Sequence, residues 1–246
     1  IDENLSSLKR VQSIPLGIDR PIRALSHAVV NGELIVSGPD IPTLWGYTGS
    51  GLVIAEEQES VDVSVETLSM PNGICTSWAG RCVIAKGEAV FISDPLAPRT
   101  YTAGGIVTLP GTIYGLHVTA NGSLVMATAD GVYGLSSQAA AQGRKIIGSI
   151  QKLSSYQATD YGQTAMTPFG LYGLTRRGVK QIDVASSKEI SLSDKTYVRS
   201  LSDMISFPDY REGKLFQTNE GLAVFMGTVD QDGDEDVVWT NGDAFV

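Results

Sequence analysis

The sequence predicts an all-β fold, a β-propeller of about five blades, each a four-stranded antiparallel sheet of roughly 45 residues. Three observations carry this expectation. Thr112-Ile113-Tyr114-Gly115 returns 47 residues later as Thr159-Asp160-Tyr161-Gly162, and at the same offset Leu124 falls on Leu171, Thr128 on Thr175, Gly131 on Gly178, Val132 on Val179 and Leu135 on Ile182, without a gap. At an offset of 90 residues, two periods, His27-Ala-Val-Val-Asn31-Gly32-Glu-Leu34-Ile-Val36 resembles His117-Val-Thr-Ala-Asn121-Gly122-Ser-Leu124-Val-Met126, which superposes the chain's only two histidines. Glycines Gly32, Gly80, Gly122, Gly170 and Gly213, spaced 42 to 48 residues apart, each stand ahead of an apolar run and mark the turn between a first and a second strand.

Each unit reads alike. A short first strand leads to a glycine turn, because Asn-Gly and related pairs accept the positive φ that a two-residue hairpin demands. A continuous apolar run comes next, such as Leu124-Val125-Met126-Ala127, whose lack of alternation implies burial on both faces, as a blade between two neighbours requires. Asp130-Gly131 then turns the chain into Val132-Tyr133-Gly134-Leu135. The first strands are expected within Leu25–Val29, Ile74–Ser77, Leu116–Thr119, Gln163–Met166 and Met204–Ser206. Helical signals are thin, and only residues 136–143, with Gln138-Ala-Ala-Ala-Gln142, suit about two helical turns. Residues 1–21 are set apart as an N-terminal segment, a ring-closing strand or an arm, and residues 22–246 form the propeller domain.

Composition bounds the partners. The 246 residues are 42% hydrophobic and 18% charged, and 27 glycines with 10 prolines favour turns over long helices. A net charge of −9 argues against non-specific attachment to nucleic acid or to anionic membranes. No apolar run is long enough for a transmembrane helix, and Ile1-Asp2-Glu3-Asn4 has no secretory character. Cys75 and Cys82 flank the Ala79-Gly80 turn out of register, so a disulfide is not favoured, and with no histidine close by in sequence they make a poor zinc site.

The second repeat carries a family resemblance. Ala89-Val90-Phe91-Ile92-Ser93-Asp94-Pro95-Leu96-Ala97-Pro98-Arg99-Thr100-Tyr101 resembles the strand, Ser-Asp/Glu-Pro, two residues, Pro segment of tailed-bacteriophage virion proteins. The stretch from Gly115 to Leu135 resembles the segment downstream of it in those proteins, and Glu212–Met226 resembles their closing blade. The likeness spans most of residues 22–226 and points to tail nozzle or tail tubular proteins of β-propeller type. It implies a structural virion component in a symmetric homo-oligomeric ring, assembled in the host cytoplasm beside other tail proteins, supporting host attachment or the passage of viral DNA as cargo. The alternative is a propeller binding module that recognises a glycan or a protein on a cell surface.

No catalytic residue is assigned, and the chain reads as a non-enzyme. Glycosidases of propeller type need acidic pairs on the first strands, facing the channel, and the expected strands contain none. Neither histidine adjoins a nucleophile elbow, and Thr48-Gly49-Ser50-Gly51 lacks the lysine of a phosphate loop. His27 and His117 are expected to be equivalent, either lining a polar channel or, more simply, bonding strand to strand. Glu56-Glu57-Gln58-Glu59 and Arg176-Arg177 read as solvated surface. No organic cofactor is expected. The one candidate metal site is Asp230, Asp232, Asp234 and Asp236 around Gly233, whose alternating carboxylates suit calcium. The bidentate glutamate is missing, since position 241 is Asn, and an acidic hairpin turn between Val224-Phe225 and Val237-Val238 is the plainer reading.

Overall fold

A computed structural model describes residues 22–48, 51–55, 67–68, 70–136, 138, 146, 148–175, 178–184, 188–191, 213–218 and 221–225. The N-terminal segment 1–21, the expected first strand Met204–Ser206, most of the helix expected at 136–143 and the acidic run 230–236 lie outside the described residues, as do Glu56–Glu59 and Arg176-Arg177.

The chain is a β-propeller. Blade 1 comprises β1 (Ser26–Val30), β2 (Glu33–Gly38), β3 (Ile41–Tyr47) and β4 (Val53–Ile54), paired in that order. Blade 2 has five strands: β6 (Ile74–Trp78), β7 (Arg81–Lys86), β8 (Ala89–Asp94) and the long β9 (Ala97–Thr108), with β5 (Thr67–Leu68) added outside β9. Blade 3 is β10 (Ile113–Val118), β11 (Leu124–Thr128), β12 (Val132–Leu135) and β13 (Gln151–Ser154). Blade 4 is β14 (Thr164–Thr167), β15 (Gly170–Thr175), β16 (Gly178–Asp183) and β17 (Lys188–Ser191). A further hairpin of β18 (Lys214–Thr218) and β19 (Gly221–Phe225) opens a fifth unit. Every pairing is antiparallel, and the first strands neighbour one another in succession, β1 beside β6, β6 beside β10, β10 beside β14 and β14 beside β18.

The buried middle strands explain why the meanders stack. All five residues of β11 are buried. Leu124 and Met126 face blade 2 in a cluster with Trp78, Val83, Val90 and Ile92, whereas Val125 and Ala127 face blade 4 in a cluster with Tyr156, Leu171 and Ile182. A third cluster joins Ala28, Val30 and Ile35 of blade 1 to Cys75, Cys82, Ile84 and Tyr101 of blade 2. Each such large side chain contributes about 1.5–3 kcal/mol by leaving water, and a blade that buries both faces draws this stabilisation from two neighbours.

Turn chemistry agrees with the sequence. Asn31 and Gly32 have φ of 51° and 76°, Ala79 and Gly80 of 48° and 71°, the positive pair of a two-residue hairpin that matches strand twist. The β10–β11 turn is longer: Thr119 and Ser123 close a three-residue loop with Gly122 at φ 80°. In blade 4 the turn residues are Pro168 and Phe169, and Gly170 stands at the head of β15. The expectation for Gly213 is corrected. It precedes a first strand and not a second one, because Leu215 N donates to Gly162 O at 2.7 Å and β18 enters alongside β14. A glycine ahead of an apolar run marks a blade start as readily as a hairpin, as Gly73 does before β6.

Antiparallel meandering sends alternate turns to opposite faces of the disc. The turns β1–β2, β6–β7, β8–β9, β10–β11 and β14–β15 share one face, the hairpin face. Among the described residues the opposite face holds three ion pairs: Arg23–Asp40 at 2.9 Å, Lys152–Asp130 at 2.7 Å and Lys214–Asp160 at 2.8 Å. There Arg23, ahead of β1, lies 5.4 Å from the centre of the Tyr161 ring ahead of β14, and Tyr161 stands edge-on to Tyr114 at 5.3 Å. Blades 1, 3 and 4 therefore meet at the centre of this face.

Candidate functional site

The first strands come first, since a propeller channel is where an acid pair would stand. None of β1, β6, β10, β14 or β18 carries an aspartate or a glutamate. What they carry is small, hydroxylated or apolar, and much of it links blades. Ser26 Oγ accepts from Cys75 N at 2.6 Å, and Ser77 Oγ accepts from Val29 N and donates to Val29 O at 2.8 and 2.9 Å. Lys214, the charged residue of β18, is held by Asp160 and by Tyr161 O.

The two histidines are not equivalent, which corrects the sequence expectation. His27 pairs with Val36 and faces away from blade 2, exposed to solvent. His117 pairs with Val125 and faces blade 4, where Nε2 lies 2.8 Å from Thr164 Oγ1. The second strands β2 and β11 superpose at 90 residues as the sequence implies, but the turn of blade 3 holds one residue more. The structural counterpart of His117 is Ala28, and that of His27 is Leu116. A shift of one residue moves a side chain to the other face of its strand. Burial pushes the His117 imidazole down to about 4, so it is neutral at physiological pH. Gly115 makes room for this contact, because a Cβ there would lie 2.3 Å from Thr164 Oγ1.

Cys75 and Cys82 are both free and buried. Cys75 pairs with Ile84 while Cys82 pairs with Ser77, the offset expected from the turn. Burial raises Cys75 to about 11 and Cys82 to about 12, so both remain protonated thiols and poor nucleophiles or metal ligands. Among the described residues no three His, Cys, Asp or Glu side chains gather as a metal site, and the candidate calcium ligands Asp230, Asp232, Asp234 and Asp236 lie outside those residues.

The Ser-Asp-Pro segment proves to be a corner. Arg81, 1% exposed, donates from Nη1 to Ser93 O at 2.8 Å, and Cys82 N donates to Ser93 Oγ at 2.9 Å. Burial lowers the Arg81 pKa and the Asp94 carboxylate opposes that fall. Leu96 N donates to Gly80 O at 2.8 Å, and Asn31 Nδ2 donates across the blade boundary to Leu96 O at 3.3 Å. Nearby, Arg99 stacks 3.8 Å from the centre of the Trp45 ring while its Nε donates to Glu33 at 2.7 Å, a second clamp between blades 1 and 2.

A cleft of about 660 Å³ opens at the hairpin face of blade 3 and reaches Val184 of blade 4. Thr119, Asn121 and Ser123 enter from the β10–β11 turn, Gln138 from the segment after β12, and Ser149 and Gln151 from the approach to β13. Val125 and Leu153 lie among them, and none of the described lining residues is charged. Sequence reasoning did not find this cleft. Its polar residues are ordinary turn residues some 30 positions apart, and only the β12–β13 pairing brings them together.

No protein-family model matches the chain, and no curated protein matches it. Among solved structures it is similar to a streptogramin B lyase, at 12% identity over 90% of this chain and 70% of that one, with a TM-score of 0.49. It is also similar to the dihydro-heme d1 dehydrogenase NirN in complex with DHE, at 12% identity over 89% of this chain, with a TM-score of 0.48. The match spans about half the length of the latter (48%).

Proposed function

We propose that this chain is a structural subunit of a bacteriophage tail, a rigid propeller repeated in a symmetric ring beside other tail proteins. The observation that carries the reading is the Ala89–Tyr101 segment, on which the resemblance to tail nozzle and tail tubular proteins rests. In this chain the segment's side chains serve rigidity. Ser93 and Asp94 are buried, Arg81 is bound beneath them, and Leu96 ties the turns of blades 1 and 2 together. First strands without carboxylates and a net charge of −9 are consistent with a scaffold past which DNA moves without adhering. The test is composition of the particle. Mass spectrometry of purified virions is expected to find the chain at a fixed stoichiometry of about six or twelve copies, and averaged images of isolated tails are expected to place it in a ring. A chain that stays out of the particle through gradient purification sinks the reading.

A further inference from the structure

The cleft of blade 3 has a chemistry that the scaffold role does not use. Its polar lining consists of hydroxyls and primary amides, groups that both donate and accept hydrogen bonds. Asn121 Oδ1 accepts from Ser123 N at 3.2 Å, yet Asn121 Nδ2, Ser123 Oγ, Ser149 Oγ and the Gln151 side chain have no hydrogen-bond partner among the described residues. Val125 and Leu153 add apolar surface between them. The volume falls within the about 300–1,000 Å³ of small-ligand sites.

We infer that this cleft binds a short, neutral oligosaccharide. A charged ligand finds no counter-charge among the described lining residues, and an anion is also repelled by the overall −9. An apolar ligand would strip water from the amides and hydroxyls and give nothing in return. Sugar hydroxyls answer the lining in kind, donor for acceptor, while the C–H face of a pyranose ring covers Val125 and Leu153. The cleft opens on the hairpin face, where Leu96 (60% exposed) and Phe169 (79% exposed) also project, so a glycan chain on a surface can reach it.

The probes are maltotriose and triacetylchitotriose as neutral sugars, sialyllactose as an anionic one and a Gly-Ser peptide as a neutral non-sugar. Each is titrated into the full chain and followed by saturation-transfer NMR. Saturable binding of a neutral trisaccharide is expected, unchanged when ionic strength is raised. The Asn121→Ala/Gln151→Ala double variant is expected to weaken it by about tenfold or more. Ser149→Trp, a change at an exposed residue that removes no bond, is expected to block it at an unaltered melting temperature. The inference is overturned if neither neutral sugar saturates, if only sialyllactose or the peptide binds, or if binding survives both variants undiminished. None of these outcomes depends on whether the chain is found in virions.

Discussion

The first hairpins of blades 1 and 3 share a sequence and differ in what it does. Both carry a histidine, an Asn-Gly pair and an apolar second strand, at matching intervals. In blade 1 the Asn31-Gly32 pair is the whole turn and His27 stands in solvent. In blade 3 the turn holds one residue more, Trp78 Nε1 donates to Gly122 O at 2.8 Å from the neighbouring blade, and His117 is enclosed against Thr164. Turn length is thus a phase switch. One added residue leaves the second strand in place and turns the first strand's side chains to the opposite neighbour.

The largest expected effect concerns the bond that only the blade 3 turn receives. Trp78 is 1% exposed and fills the boundary of blades 2 and 3. Trp78→Ala is expected to cost about 3–5 kcal/mol, lowering the melting temperature by about 10 °C in a chain of this size. Trp78→Phe, which keeps most of the bulk and loses the bond to Gly122, is expected to cost well under half of that. Equal losses in calorimetry would show that the bond to the turn, and not the packing, sets the boundary.

Next comes pH. His117 is depressed in the folded chain from 6.5 to about 4, so the unfolded chain binds the proton first. Stability is then full above about pH 6.5 and falls as pH drops toward 4, because the slope is set by the excess of protons on the unfolded state. Partial exposure of the residue holds the loss to about 2 kcal/mol. Urea melts of the His117→Gln variant are expected to lose this dependence, and those of His27→Gln to keep it. The reverse assignment would break the contrast between the two hairpins.

Deletion of Ala120 shortens the turn of blade 3 to the two residues of blade 1 without touching either strand. It leaves Asn121-Gly122 as a two-residue turn between Thr119 and Ser123, and the pairing of His117 with Val125 is expected to persist. The cost is about 1 kcal/mol, from disturbance of the contact with Trp78. Loss of the low His117 titration in NMR would show that the first strand re-pairs when the turn is shortened, against the retained register expected here. The smallest change is Ala79→Asn. Ala79 holds a φ of 48° where blade 1 uses asparagine, so the substitution is expected to stabilise by about 0.5–1 kcal/mol.

Much of the fold was legible because its determinants are local. Gly32 and Gly80 mark hairpins by the φ values they accept, and the unbroken apolar run Leu124–Ala127 declares a strand buried on both sides. Gly213 misled, because a glycine before an apolar run fits a blade start as well as a turn, and only the bond from Leu215 to Gly162 separates the two. The candidate site was not legible. Asn121 and Gln151 are unremarkable turn and edge residues until β12 and β13 pair and set them around one cleft.

By itself the sequence determined the repeat, most of its division into strands and turns, and the absence of carboxylates from the first strands of the first four blades. These arise from backbone preferences and hydrophobic runs only a few residues long. The tertiary structure decided which neighbour each side chain meets: His117 half-buried against Thr164 while His27 is left in water, Ser93 turned into a corner over Arg81, and uncharged amides and hydroxyls gathered around an open cleft. Facing depends on the count of residues in a turn and on the blade that closes over it, and the bonds between blades join residues 44 to 65 positions apart, beyond the reach of any local pattern.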